Sequence, residues 1–173
     1  MKKYSSIQQL AFGGLMMALV FIATALLPRI PIPFAQQSYI HAGDSMIFVA
    51  AILLGWKSGA IAGGIGSALA DLFVGATIWA FPTLIIKALM GAIVGIKAQD
   101  KPLISWQMLI SVTLGGLIMI VGYYIAEAFI VANWIVPIFS VPFNIIQFVG
   151  GSIIAFLVLV PLKKSRYFRL GKN

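Results

Sequence analysis

The sequence contains no cysteine, one histidine and only four acidic residues in 173 positions. The absence of cysteine excludes disulfides and thiolate chemistry. Charged residues make up 9% of the chain and hydrophobic residues 61%, whereas a water-soluble domain of this size needs far more charged surface. These shortages indicate a protein that is embedded in a membrane.

Apolar segments run nearly end to end, with short polar or proline-containing breaks between them. A bilayer-spanning helix needs about 20 apolar residues, and the first segment is too long for a signal-peptide core, so we interpret it as a retained helix. The pattern predicts an all-α integral membrane protein. It forms a single membrane domain over residues 1–173, a bundle of six transmembrane helices at about 7–27, 42–56, 58–76, 82–97, 104–131 and 139–162.

The breaks between these segments carry turn chemistry. The stretch "LPRIPIPFAQQ" holds three prolines and predicts an extended loop after the first span. Pro82 is expected in the first turn of the fourth helix, where a proline sacrifices no hydrogen bond. Trp79, just before it, is then expected in an outer loop.

The basic residues predict the orientation, because cytoplasmic loops carry an excess of lysine and arginine. With the N-terminus inside, only Arg29 lies in an outer loop, and Lys87 lies within a span. Both termini are therefore expected in the cytoplasm, with the stretch 163–172 as an anchor at anionic lipid. The remaining ten of the twelve basic residues fall on the inner side: Lys2, Lys3, Lys57, Lys97, Lys101, Lys163, Lys164, Arg166, Arg169 and Lys172.

Four ionisable residues fall within the predicted spans: Asp44, Asp71, Lys87 and Glu127. Each costs about 2.5–3.5 kcal/mol on insertion scales unless it is paired or lies beside water. In the predicted topology all four lie in the outer half of the bundle, which predicts a polar pocket there. For Lys87 and Glu127 the alternative is an internal ion pair, and Asp71 is expected to make a structural hydrogen bond to a neighbouring helix.

Aromatic and amide side chains are predicted at the same level of the bundle. Flat rings with a few directed polar groups suit a small planar heteroaromatic solute. The alternative for the tyrosines and tryptophans is the aromatic belt at the membrane interface. The candidate residues of this kind are Trp79, Tyr123, Tyr124, Trp134, Asn144 and Gln147.

His41 and Asp44 precede the second span and need their own interpretation. A zinc site would require two more donors, and the chain has no second histidine and no cysteine, so neither a metal nor another cofactor is predicted. Asp44 suits a helix start, and His41 is a candidate to cap the loop or to touch a solute. The chain has no pattern G-x-x-x-x-G-K-[ST], so no means of hydrolysing ATP is visible.

Three motifs carry a family resemblance: H-x-G-D at 41–44, G-x-G-S-A-x-A-D at 64–71 and P-x-x-x-x-K-x-x-x-G at 82–91. Together they resemble the substrate-binding S components of energy-coupling-factor (ECF) vitamin transporters, in the riboflavin-transporter-like branch that includes hydroxymethylpyrimidine and pyridoxine carriers. The resemblance implies a non-catalytic, multi-pass subunit of the bacterial plasma membrane that captures a vitamin. It also implies two kinds of partner, a transmembrane coupling subunit and two cytoplasmic ATPases, with the A-x-x-x-A-like contact for the coupling subunit at Gly14 and Ala18.

A hydroxymethylpyrimidine- or pyridoxine-type ligand is favoured over riboflavin, because Glu127, Asn144 and Gln147 offer directed contacts for one small ring. The substrate-binding set predicted from the sequence also includes His41, Asp44, Lys87 and the aromatic residues named above. Two rival functions remain: an autonomous proton- or sodium-coupled carrier using Asp71 or Glu127, and an intramembrane enzyme using His41 and Asp44. The enzyme is disfavoured because too few catalytic partners are visible.

Overall fold

The computed structural model describes residues 6–31, 39–99 and 101–164, and its regular elements are helices apart from a two-stranded ribbon. The all-α prediction is confirmed. The basic residues Lys2 and Lys3 and most of the predicted C-terminal anchor lie outside the described residues. The elements are α1 (Ser6–Ala25), β1 (Ile30–Pro31), β2 (Tyr39–Ile40), α2 (Gly43–Leu54), α3 (Trp56–Phe73), α4 (Thr77–Ala98), α5 (Trp106–Ile130), a 3₁₀ helix (Val136–Phe139) and α6 (Val141–Lys164).

Four stretches within the described part of the chain are long and apolar enough to cross a membrane. Helix α2 has only 12 residues, and α3, with 18, is rich in glycine and is not among the four. The four stretches are Ile7–Ala25, Thr77–Ala98, Trp106–Ile130 and Val136–Lys164.

Helix α2 forms the centre of the bundle. It packs against α1, α3, α4 and α6, and nearly all of its residues are buried. A helix that is apolar on every side is expected to be surrounded by other helices. Phe48 of α2 lies at the middle of the main hydrophobic core, together with Met90, Met119 and Leu159, all fully buried.

Helices α3 and α4 share the most extensive contact in the bundle, and glycine makes it possible. A Cβ atom on Gly59 would lie 2.7 Å from the carbonyl oxygen of Gly91, and one on Gly63 would lie 2.8 Å from that of Lys87. Small residues four apart allow this approach of two backbones. These glycines therefore serve the packing of α3 against α4.

Two glycines make the sharp turns at the ends of α3. Gly55 (φ +88°) is the single residue between α2 and α3, and Gly75 (φ +84°) follows the end of α3. Because the turn at Gly75 is so short, α4 begins at Thr77, five residues earlier than expected. The placement of Pro82 at the helix start was therefore wrong, since it lies inside α4 and removes one backbone hydrogen bond there. Trp79 is likewise not a loop residue but lies in the first turn of α4.

Of the predicted loop after α1, the structure describes only the beginning, where Ile30 and Pro31 are extended as strand β1. Strands β1 and β2 pair antiparallel, with Ile30 opposite Ile40 and Pro31 opposite Tyr39. The ribbon places Tyr39 and His41 at the entrance of α2. These two residues thereby reach the same end of the bundle as the last turns of α3 and α5.

Candidate functional site

A polar cavity lies at one end of the bundle, where β2 meets the end of α3, the start of α4, the end of α5 and the start of α6. Its walls come from segments far apart in sequence, so it exists only in the folded chain. The lining residues are Tyr39, His41, Asp71, Trp79, Thr83, Tyr123, Glu127, Ser140, Asn144 and Gln147.

Aromatic rings form two parts of the cavity wall. The rings of Trp79 and Tyr123 lie 5.8 Å apart at an angle of 60°, and those of Tyr39 and His41 lie 5.5 Å apart at 54°. Tilted ring pairs at such distances are favourable contacts that also hold the rings in place. The cavity thus offers fixed flat surfaces for a planar ligand.

Hydrogen bonds orient the polar lining. Ser140 donates to Glu127 Oε1 at 3.0 Å, Tyr39 donates to Asp71 Oδ1 at 2.8 Å, and the hydroxyls of Thr83 and Tyr123 lie 3.0 Å apart. Each bond joins two different elements of the fold. The polar groups therefore face the cavity in fixed positions.

An ion pair between Lys87 and Asp44 lies fully buried beneath the cavity. Gln147 connects it to the lining, because its Nε2 donates to Asp44 Oδ2 at 2.9 Å and its Oε1 accepts from the backbone amide of His41 at 3.1 Å. The Lys87 ammonium also lies 5.2 Å from the centroid of the Tyr123 ring, a cation–π distance. The pair thus holds α2, α4, α5 and α6 together below the site.

His41 is held in its neutral form in the loop before α2. Its Nδ1 accepts a hydrogen bond from the backbone amide of Gly43 at 3.0 Å, which only an unprotonated nitrogen can do. Burial lowers the pKa of His41 to about 4, since the charged imidazolium is disfavoured there. At neutral pH this histidine presents its other ring edge without a positive charge.

The structure brings six of the ten predicted substrate-binding residues to the cavity. Asp44 and Lys87 lie below it with no exposed surface. Tyr124 and Trp134 lie elsewhere, where the Tyr124 hydroxyl donates to the backbone oxygen of Trp134 at 2.8 Å. The six that line the cavity are His41, Trp79, Tyr123, Glu127, Asn144 and Gln147.

The alternative interpretation, an ion pair between Lys87 and Glu127, is wrong. Lys87 pairs with Asp44, and Glu127 accepts from Ser140 instead. The reason is that α2 runs through the middle of the bundle and places its first turn against α4. Asp44 therefore does more than begin a helix, because its carboxylate neutralises the lysine.

Three lining residues escaped the sequence prediction, Tyr39, Thr83 and Ser140, and a fourth, Asp71, was predicted at this level of the bundle but not as a binding residue. Asp71 was expected to make a structural hydrogen bond to a neighbouring helix; it accepts one from Tyr39 of strand β2 instead, and it also lines the cavity. Thr83 lies four residues before Lys87 and hence on the same face of α4, a spacing that was available as a signal. Tyr39 and Ser140 lie at the edges of loops, where periodicity gives no information.

No three His, Asp or Glu side chains of the described ranges are grouped so that they could hold a metal ion. The site instead combines flat rings with hydrogen-bonding groups inside a helical membrane protein. Such a cavity defines a solute-binding membrane protein of multi-pass type.

Comparison with known proteins gives the family. The family model described as "ECF-type riboflavin transporter, S component" matches residues 4–164. The chain therefore belongs to this family of S components, the vitamin-capture subunits of ECF transporters.

Two relatives and one solved structure are similar to the chain. A Pyrococcus woesei protein described as "Uncharacterized protein in gap 3'region" is 40% identical over 131 residues, 76% of this chain and 86% of that protein. The "Thiamine precursor transporter HmpT" of Lactococcus lactis subsp. cremoris (strain MG1363) is 29% identical over 157 residues, which cover 91% of this chain and 88% of that protein. A structure of the S component of a bacterial ECF transporter superposes with a TM-score of 0.76 at 18% identity, covering 92% of this chain and 98% of that one, and shows the same fold.

Proposed function

We propose that this S component captures a small single-ring heteroaromatic vitamin or vitamin precursor, of the hydroxymethylpyrimidine or pyridoxine type. The cavity supports this most directly, since it joins flat aromatic walls with the carboxylates and amides of Glu127, Asn144 and Gln147. The likeness to a thiamine precursor transporter agrees with this ligand class.

Riboflavin is the second candidate, because the family model is named for it. Mass spectrometry of small molecules released from the purified, denatured protein separates the two. A stoichiometric pyrimidine or pyridine would support the proposal, and riboflavin would replace it.

Glu127 is proposed to accept a hydrogen bond from a ring amino or hydroxyl group of the ligand. Changing Glu127→Gln removes the charge and keeps the shape, so we expect the affinity for the ligand to fall about 10-fold or more. Calorimetric titration of the purified protein measures this. Tyr124→Phe is the matched control, because this hydroxyl bonds outside the cavity and its removal is expected to leave the affinity unchanged. An unchanged affinity in Glu127→Gln would remove Glu127 from the site.

In the membrane we propose six spans forming one domain, with both termini in the cytoplasm and the cavity opening outwards. The asymmetry of the basic residues supports this orientation. Because the chain has no cysteine, single-cysteine variants at Gln99 and Asn133 can be labelled from either side of intact cells. Labelling of Asn133→Cys alone by an impermeant reagent supports the orientation, and labelling of Gln99→Cys alone would reverse it.

For energy, we propose that the chain depends on a transmembrane coupling subunit and two cytoplasmic ATPases in the plasma membrane. Gly14 and Ala18 of α1 are both exposed, and a Cβ atom on Gly14 would meet nothing within 4 Å. An unfilled small-residue surface suits close approach of a partner helix. The autonomous ion-coupled carrier is the rival, and gradient-driven uptake into vesicles that contain only this chain would establish it instead.

Changing Gly14→Leu is expected to abolish co-purification with the coupling subunit while leaving the ligand affinity unchanged. The added side chain projects outwards from the bundle and so does not disturb its packing. Retained co-purification would place the contact elsewhere on the subunit.

A further inference from the structure

Asp71 is a buried acid that the proposed recognition of the ligand does not yet use. It lies near the end of α3, is only 5% exposed and lines the cavity. Tyr39 donates to its Oδ1, but its Oδ2 is buried and has no hydrogen-bond partner among the described residues. A buried acceptor without a partner costs free energy. Because this oxygen belongs to a residue that lines the cavity, a bound ligand can supply the missing hydrogen bond.

The cationic groups near the cavity are committed elsewhere. The Lys87 ammonium pairs with Asp44 and faces the ring of Tyr123. Arg29 is exposed and lies over the Tyr39 ring, with its guanidinium carbon 5.3 Å from the centroid. Of the described residues, none therefore forms a salt bridge with either carboxylate of the lining.

The remaining basic candidate is His41, and it is neutral because its Nδ1 accepts from Gly43. The lining consequently holds two acids, Asp71 on α3 and Glu127 on α5, without a positive partner inside the cavity. Two buried acceptors favour a ligand that brings hydrogen-bond donors or positive charge. They disfavour any ligand that brings negative charge, because like charges repel strongly where water is scarce.

We infer that Asp71 is a second acidic recognition residue, and that with Glu127 it selects an amino-substituted, unphosphorylated heteroaromatic ring and rejects the phosphate ester of the same ring. This inference rests on the proposed function and sharpens its ligand class. An amino-pyrimidine supplies N–H donors to one carboxylate, and a hydroxymethyl group can donate to the other. Pyridoxine has no amino group and should bind less tightly.

The test is calorimetric titration of the purified full chain with four probes: 4-amino-5-hydroxymethyl-2-methylpyrimidine, its monophosphate, pyridoxine and riboflavin. The wild type is expected to bind the aminopyrimidine most tightly and the monophosphate at least 100-fold more weakly. Asp71→Asn exchanges an acceptor for a donor at constant shape, so the aminopyrimidine affinity should fall about 10- to 100-fold. In the same variant, the ratio of the aminopyrimidine affinity to the monophosphate affinity should become smaller.

Ser67→Ala is the matched control. Ser67 lies one turn before Asp71 in α3, is fully buried with an unpartnered hydroxyl and does not line the cavity, so its removal should leave every affinity unchanged. Should Asp71→Asn fail to fold, Tyr39→Phe removes the hydrogen bond that orients the carboxylate and should weaken aminopyrimidine binding severalfold.

Each outcome decides a different point. Wild-type affinity in Asp71→Asn and Tyr39→Phe, or equal binding of the monophosphate, would overturn the inference while leaving the capture of a single ring intact. Tight binding of riboflavin instead would overturn the proposed ligand, and an effect of Asp71→Asn on riboflavin would keep Asp71 in the site. Binding of none of the probes would overturn both.

Discussion

Changing Lys87→Met is expected to lower the free energy of unfolding by about 3–5 kcal/mol, the cost of leaving one partner of a buried ion pair unpaired. Methionine keeps the length of the aliphatic stem and removes the charge, so Asp44 is left as a buried carboxylate without its cation. Gln147 hydrogen-bonds both to Asp44 and to the backbone amide of His41, and Gln147 and His41 line the cavity. A disturbed Asp44 should therefore weaken ligand binding as well. The thermal unfolding midpoint in detergent should fall by roughly 6–20 °C.

The double variant Asp44→Asn/Lys87→Met is the control for this experiment. It removes both charges and keeps an acceptor for Gln147 at position 44, so we expect it to regain most of the lost stability. A neutral pair can be as stable as a buried ion pair, because the cost of taking two charges out of water into the protein interior disappears. A single variant as stable as the wild type would show that the pair makes no net contribution.

Changing Gly59→Ala is expected to destabilise the bundle by about 1–3 kcal/mol, although alanine is the better helix former. The new methyl group would lie 2.7 Å from the carbonyl oxygen of Gly91 and 2.8 Å from the Cβ of Ala51, closer than carbon atoms pack. Helices α2, α3 and α4 would have to separate. The measurement is again the thermal unfolding midpoint of the purified protein.

Gly150→Ala is the matched control, because a Cβ atom there meets nothing within 4 Å. With no clash, the substitution should raise the stability by up to about 1 kcal/mol through helix propensity alone. The two glycine variants are therefore expected to shift the midpoint in opposite directions. A rise for Gly59→Ala would contradict the tight contact between α3 and α4.

Much of the fold follows from local sequence signals. Long apolar runs and the glycine repeats at Gly59, Gly63 and Gly91 predict helices and their close packing, because both depend on residues a few positions apart. The boundary at Pro82 was wrong for an equally local reason. A single glycine with positive φ, Gly75, suffices for the turn, and the next helix starts before its proline.

The candidate site was likewise predictable only in part from the sequence. Acids and amides within apolar helices are costly, so Asp44, Asp71, Lys87 and Glu127 could be singled out from the sequence as functional or paired. Which acid neutralises the lysine depends on the central position of α2. That position is set by long-range packing and leaves no trace in the residues next to Lys87.

The sequence by itself determined that this protein is a helical membrane protein with the motifs of an S component, because hydropathy, basic residues and short motifs are properties of neighbouring residues. Only the tertiary structure decided which side chains share the cavity. It moved Tyr124 and Trp134 away, buried Asp44 with Lys87, and brought in Tyr39, Asp71, Thr83 and Ser140. The physical reason is that a cavity lined by five separate segments is defined by how the helices cross, and the crossing is the sum of many contacts distant in sequence.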